Sequence, residues 1–104
     1  MKADTLKGHL DALVLATLRG GPAHGYAVIE ELKRRSEGAF DLAEGTVYPV
    51  LHRLEVDGLL ASSWSTVSGR RRRVYRLTRR GQSALAEREA DWRAFSKAVE
   101  AVLG

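Results

Sequence analysis

The chain has 104 residues, with 17 Lys and Arg against 13 Asp and Glu and a net charge of +4, which is the length of one domain with limited apolar surface to bury. It has no cysteine, which excludes a disulfide framework or a thiolate metal site, and no apolar run long enough for a membrane span or a signal segment, so a soluble cytoplasmic chain is expected. His9, His24 and His52 stand apart without carboxylates at ligand spacing, and no nucleophile set or glycine-rich phosphate loop appears, so neither an enzyme nor a bound metal or cofactor is expected.

Leu6, Leu10, Leu13, Val14 and Thr17 recur at helical spacing and predict a first helix, opened by Asp4 or Thr5 as N-cap and ended by Gly20, Gly21 and Pro22. A second, amphipathic helix is predicted from about His24 to Ser36. Gly25, Val28, Ile29 and Leu32 lie on its inner side, and Gly38 is its stop.

The third helix lies in EGTVYPVLHRLEVDG, with Val47, Val50, Leu51 and Leu54 as its buried stripe. Pro49 is tolerable only in a first turn, where backbone amides have no intrahelical partner, so the helix is expected to start close to Gly45 or Thr46. Gly58 followed by Leu59 fits a left-handed C-terminal cap. The opposite face carries Gly45, Pro49, His52 and Val56, flanked by Thr46 and Arg53. Such a face can approach another surface closely and offer hydrogen bonds to it.

After Gly58 the period changes from helical to alternating. LLASSWSTV and RVYRLT predict two strands of a hairpin joined through Ser-Gly-Arg-Arg, with Tyr75 and Leu77 on one face and Trp64 in the hairpin core. The segment STVSGRRRRVYRLTRRG, from Ser65 to Gly81, holds seven arginines and no acid, while the other 10 Lys and Arg are outnumbered by the 13 acids. Basicity concentrated on a folded hairpin points to a polyanion, nucleic acid before an anionic membrane. The amphipathic basic helix that a membrane-surface role usually requires is missing.

Thr78 is the expected cap of a last helix from about Arg79 to Leu103. Leu85, Trp92, Phe95, Val99 and Val102 form a coiled-coil-like stripe along it, interrupted at Glu89. Twenty-five helical residues span about 37 Å at 1.5 Å each, more than a three-helix core of this size covers. The stripe therefore needs a second chain, and a homodimer is expected through this helix, helped by the first.

Three helices, a hairpin and a long terminal helix give the fold class: mainly α with a small β-hairpin, a winged helix-turn-helix over residues 1–80 and a dimerisation helix over 81–104. In that arrangement the third helix enters the major groove and the hairpin reaches the backbone or minor groove of double-stranded DNA. Arg70, Arg71, Arg72 and Arg73 are then candidate phosphate contacts, and Thr46, His52 and Arg53 candidate groove contacts. Arg53 could instead pair with Glu55 or Asp57. Tyr48 is read either as a phosphate contact or as packed in the core with only its hydroxyl outward. His24 and Tyr26 are read either as phosphate contacts or as a local cap and a half-buried aromatic.

The stretches HGYAVIEEL, GTVYPVLHRLEVDGLL and GRRRRVYRLTRRG, in this order, resemble the PadR family of transcriptional regulators over nearly the whole chain. The single short terminal helix is similar to that of the family's small members. His24, Gly25 and Tyr26 match the family's histidine-glycine-tyrosine motif. Thr46, Tyr48, Pro49, Arg53, Leu54, Glu55 and Gly58 match its recognition-helix motif, and Gly69, Arg70, Tyr75, Leu77, Thr78 and Gly81 its wing. Two positions depart from it: Ala43 stands where a capping serine is frequent, and Val74 replaces an aromatic beside Tyr75.

The resemblance implies a dimeric repressor that reads a pseudo-palindromic operator and releases it when a small aromatic or apolar effector binds. It also implies an effector site at the dimer interface, where Trp92 would stack a planar ligand and Phe95 and Val99 would line the cavity. Packing of Trp92 against its symmetry mate is the alternative. A rival of another class is a winged-helix module that binds a protein and has no specific DNA target.

Overall fold

The computed structural model describes Leu6 and residues 8–104. Its elements run α1 Leu10–Thr17, β1 Ala23–His24, α2 Gly25–Arg35, α3 Glu44–Val56, β2 Leu60–Val67, β3 Arg70–Leu77 and α4 Arg79–Leu103. The three strands form one antiparallel sheet in the order β1-β3-β2. The expected caps of the first helix, Asp4 and Thr5, lie outside the described residues.

The core collects the inner faces of α1, α2 and α3, closed at one end by the sheet and the first turns of α4. Val14, Leu15, Val28, Val47, Leu51 and Leu54 are completely buried there, joined by Leu10, Leu18, Leu32, Leu60, Tyr75 and Leu85. The stripes expected on the second and third helices are the observed ones. On α1, Leu15 is buried beside the predicted positions, and Leu13 only packs against the core. Thr17 is tolerated in this layer because its hydroxyl donates to the Val14 carbonyl at 2.7 Å.

Helix ends follow local rules. Helix α3 ends where the Gly58 amide meets the Glu55 carbonyl and the Leu59 amide the Leu54 carbonyl, with Gly58 at φ +79°, a left-handed cap that favours glycine. At the end of α2 the first left-handed residue is Glu37, one before Gly38. Helix α3 starts at Glu44, earlier than Pro49 alone suggested, and its N-cap Ala43 has no side-chain bond to the first turn. Glu44 in that turn supplies a negative charge favourable to the helix dipole.

The hairpin turn is shorter than expected. Ser68 and Gly69, both with positive φ, make it alone, and Arg70 and Arg71 already pair with Val67 and Thr66. Two left-handed residues suit the twist of a two-residue hairpin. Thr78 caps α4, its hydroxyl accepting from the Gly81 amide at 3.0 Å and donating to the Gly58 carbonyl at 2.7 Å. Helix α4 is rooted here and then leaves the body, giving overall dimensions of 55 × 28 × 20 Å.

Candidate nucleic-acid interface

The first turn of α2 is built around His24. Its Nδ1 accepts the Ala27 amide at 3.2 Å, which in a neutral ring puts the proton on Nε2. Arg72 Nη1 lies 2.8 Å from that Nε2, so donor faces donor. Burial first, and the Arg72 charge second, hold the imidazole below its ordinary pKa. Gly25 follows because nothing larger fits: a Cβ there would lie 2.6 Å from the Tyr48 ring. Tyr48 thus lies over the start of α2 with its ring and hydroxyl against Gly25 and 39% of it exposed, so it is not the core residue of the second sequence reading.

One open cleft of about 550 Å³ joins these parts. Its walls are His24, Gly25 and Tyr26 of the α2 start, Glu44 and Tyr48 of α3, and Arg70 to Arg73 of β3. Tyr26 is exposed, and neighbouring Glu30 raises its phenol above the ordinary range, so it stays a hydroxyl donor. Four arginines against the single acid Glu44 make the lining of the cleft net positive. Of the ten positions singled out from sequence for DNA contact, His24, Tyr26, Tyr48 and Arg70 to Arg73 share this wall, while Thr46, His52 and Arg53 lie exposed elsewhere on α3.

Two placements correct the sequence reading. Arg53 pairs with neither Glu55 nor Asp57; it forks onto Asp11 of α1, with Nη1 and Nη2 at 2.8 and 2.6 Å from the two carboxylate oxygens. Glu55 instead accepts from Ser62 at 2.5 Å and lies 3.6 Å from Arg73. Trp64 is not hairpin core but 56% exposed. It points to the core side of the sheet, opposite Arg73, but beyond the Ser62–Tyr75 pair where the core ends. There its ring carries the guanidiniums of Arg71 and Arg73 at 4.6 and 5.3 Å from its centre, within cation–π range. Strand alternation gave its face correctly and the end of the core not at all.

The stripe on α4 divides. Leu85 is 2% exposed and belongs to the core of its own chain, so it does not extend the outward stripe. Trp92 and Phe95 are 52% and 60% exposed, and Val99, Val102 and Leu103 continue the apolar surface beyond them. Trp92 meets the edge of His9 at 5.1 Å between ring centres and tilts toward Phe95 at 6.2 Å.

Among the described residues no helix is long and apolar enough to cross a membrane, and no group of His, Asp and Glu could hold a metal ion. A helix pair followed by a basic hairpin and a projecting helix defines the winged helix-turn-helix class. Residues 14–87 match the transcriptional regulator PadR-like family. The chain belongs to that family, and it is a DNA-binding transcriptional regulator and not an enzyme. It is 47% identical over 81 residues to a transcriptional regulator of Mycobacterium tuberculosis, covering 78% of this chain and 70% of that one. A PadR family transcriptional regulator from Eggerthella lenta has the same fold at a TM-score of 0.84, with 37% identity over 96% of this chain and 86% of that one. For a PadR-like regulator from Bacillus cereus the TM-score is 0.85 at 26% identity, with 97% of each chain covered.

Proposed function

We propose that the protein acts as a homodimeric repressor, reading a pseudo-palindromic duplex with the exposed face of α3 and gripping phosphates with β3. In this reading residues 1–80 hold the duplex and 81–104 hold the partner chain, with the first turns of α4 as their shared root. The observation that carries it is the cleft in which Arg70 to Arg73, the α2 start and Tyr48 converge. The opposed donors of His24 and Arg72 support the same reading, since one phosphate oxygen beside the pair would accept from both. Trp64 stacks Arg71 and Arg73 in advance, so less side-chain freedom is lost when they meet phosphate.

The apolar face of α4 supports pairing: Trp92, Phe95, Val99, Val102 and Leu103 form a stripe too large and continuous to favour solvent. Reading a two-fold operator calls for two α3 helices about 34 Å apart, one duplex turn, a spacing that pairing through α4 would have to supply. A flat apolar effector entering beside Trp92 would lower duplex affinity by its preference for the unbound arrangement, and by no more.

Selection of duplexes from a random pool by the purified protein, followed by titration of the enriched and a scrambled duplex at two salt concentrations, tests the DNA reading. Preferential binding that weakens with salt and on replacing Arg70 to Arg73 by alanine is expected. No enrichment, with salt-insensitive capture of a single protein partner, would favour the interaction-module reading instead. Persistence of every effector response in Trp92→Ala would remove Trp92 from the effector site.

A further inference from the structure

One side-chain cluster outside the basic cleft ties three helices together. Asp11 of α1 receives both terminal nitrogens of Arg53 from α3, at 2.8 and 2.6 Å, and lies 3.3 Å from Arg88 of α4. Its side chain is only 21% exposed, and the two guanidiniums outweigh the cost of burial and hold its pKa below the ordinary carboxylate value. The two ends of α1 are also joined to α4, by its N-cap His9 against Trp92 and by Arg19 just past its end paired with Glu89. Arg53, on the exposed α3 face, is thus tied through Asp11 to Arg88 of the helix carrying the apolar stripe.

A free guanidinium on a DNA-facing helix binds phosphate of any sequence, and each such contact adds about 0.9 to the salt slope. Forked onto a carboxylate, the same group is neutralised and its orientation fixed. We propose that Asp11 is a positioning residue for sequence selectivity: it withholds Arg53 from indiscriminate phosphate contact and braces α3 against α4. The inference rests on the DNA reading above. It concerns how well α3 discriminates between duplexes, not whether the wing binds them.

The test is titration of a duplex enriched from a random pool by the unaltered protein, and of its scrambled counterpart, across a salt series. Asp11→Asn is expected to raise the scrambled-duplex salt slope by about one and to reduce the enriched-to-scrambled affinity ratio by about tenfold, the scale of one misplaced groove contact. Adding Arg53→Gln to that variant should return the slope to its original value. Glu37→Gln, which removes the same charge beyond α2, should leave it unchanged. If Asp11→Asn does not fold, Arg53→Lys serves: its ammonium cannot span both oxygens and is held less firmly, so a smaller rise in the same direction is expected.

An unchanged slope and ratio in folded Asp11→Asn, with only a lowered melting temperature, would reduce the cluster to a structural brace and overturn the inference. Equal binding of both duplexes by the unaltered protein, or none, would instead remove the DNA reading and this inference with it. The two failures are distinguishable on the same plate.

Discussion

The wing and the outer half of α4 are both exposed, yet they are opposite kinds of surface. The wing's charges are pre-arranged: Arg71 and Arg73 lie on Trp64, Arg73 is near Glu55, and Arg72 meets His24. Trp92 and Phe95 are instead apolar and half open, with Trp92 against the edge of His9 and tilted toward Phe95. A charged surface can be ordered within one chain where guanidiniums find a ring or a carboxylate nearby, as Arg71 and Arg73 do. An apolar stripe on a projecting helix can be completed only by something from outside.

The largest effect is expected where the two regions share a root. A Cβ at Gly81 would lie 2.0 Å from the Leu59 carbonyl oxygen, and backbone cannot yield as a side chain does. Gly81→Ala is expected to cost about 3 kcal/mol, the upper range for overpacking, and to lower duplex affinity and pairing together. Denaturant titration measures the first. Loss of stability with either surface left intact would show that the α4 root does not couple them.

Replacing Arg70 to Arg73 by alanine should act on the wing alone. Four lost phosphate contacts would lower the salt slope by three to four, at about 0.9 each, and affinity by roughly a hundredfold at moderate salt. The melting temperature should barely move, since these side chains lie outside the core. Phe95→Glu is the mirror experiment: it should halve the mass in sedimentation and abolish any dependence of melting on protein concentration. Smaller again is Trp64→Ala. Freeing two guanidiniums from a cation–π contact worth about 0.5–1 kcal/mol should weaken binding a few-fold, with less effect in Trp64→Phe.

Legibility in the sequence differed between the same two regions for physical reasons. Helical spacing located the buried stripes of α2 and α3, and Gly58 and Thr78 announced the end of α3 and the start of α4, because those signals are local. Leu85 and Trp92 are seven residues apart, a spacing equally suited to a heptad seam and to two turns over a chain's own core. Only the fold shows that the first is inside and the second outside. Arg53 has a partner 42 residues away, which no spacing rule reaches, so its visible neighbours Glu55 and Asp57 stood in for it. The two-residue strand β1 is too short to leave an alternating pattern, yet its pairing with Tyr75 and Val74 brings His24 to Arg72.

The finest separation of the regions is expected in acid, because two groups with lowered pKa values guard different places. His24 is held below its ordinary value, so the fold favours the neutral ring. Its contribution is fully present above the unfolded imidazole pKa of about 6.5 and is lost as pH falls through the folded value. Asp11 is also lowered, chiefly by Arg53, and its contribution is present above about 3.9 and lost on further acidification. Mild acid should therefore loosen the α2 cap while the α1–α3–α4 cluster holds. Amide exchange at Ala27, whose N–H the His24 ring accepts, should lose its protection as the pH falls below the unfolded imidazole pKa of about 6.5. Exchange in the α1 turns around Asp11 should not change until the pH is well below 4. Bound duplex should shift the first transition downward in rate, since a phosphate beside protonated His24 replaces the lost cap with an ion pair. Simultaneous loosening at both places would mean that the wing side and the α4 side open as one unit.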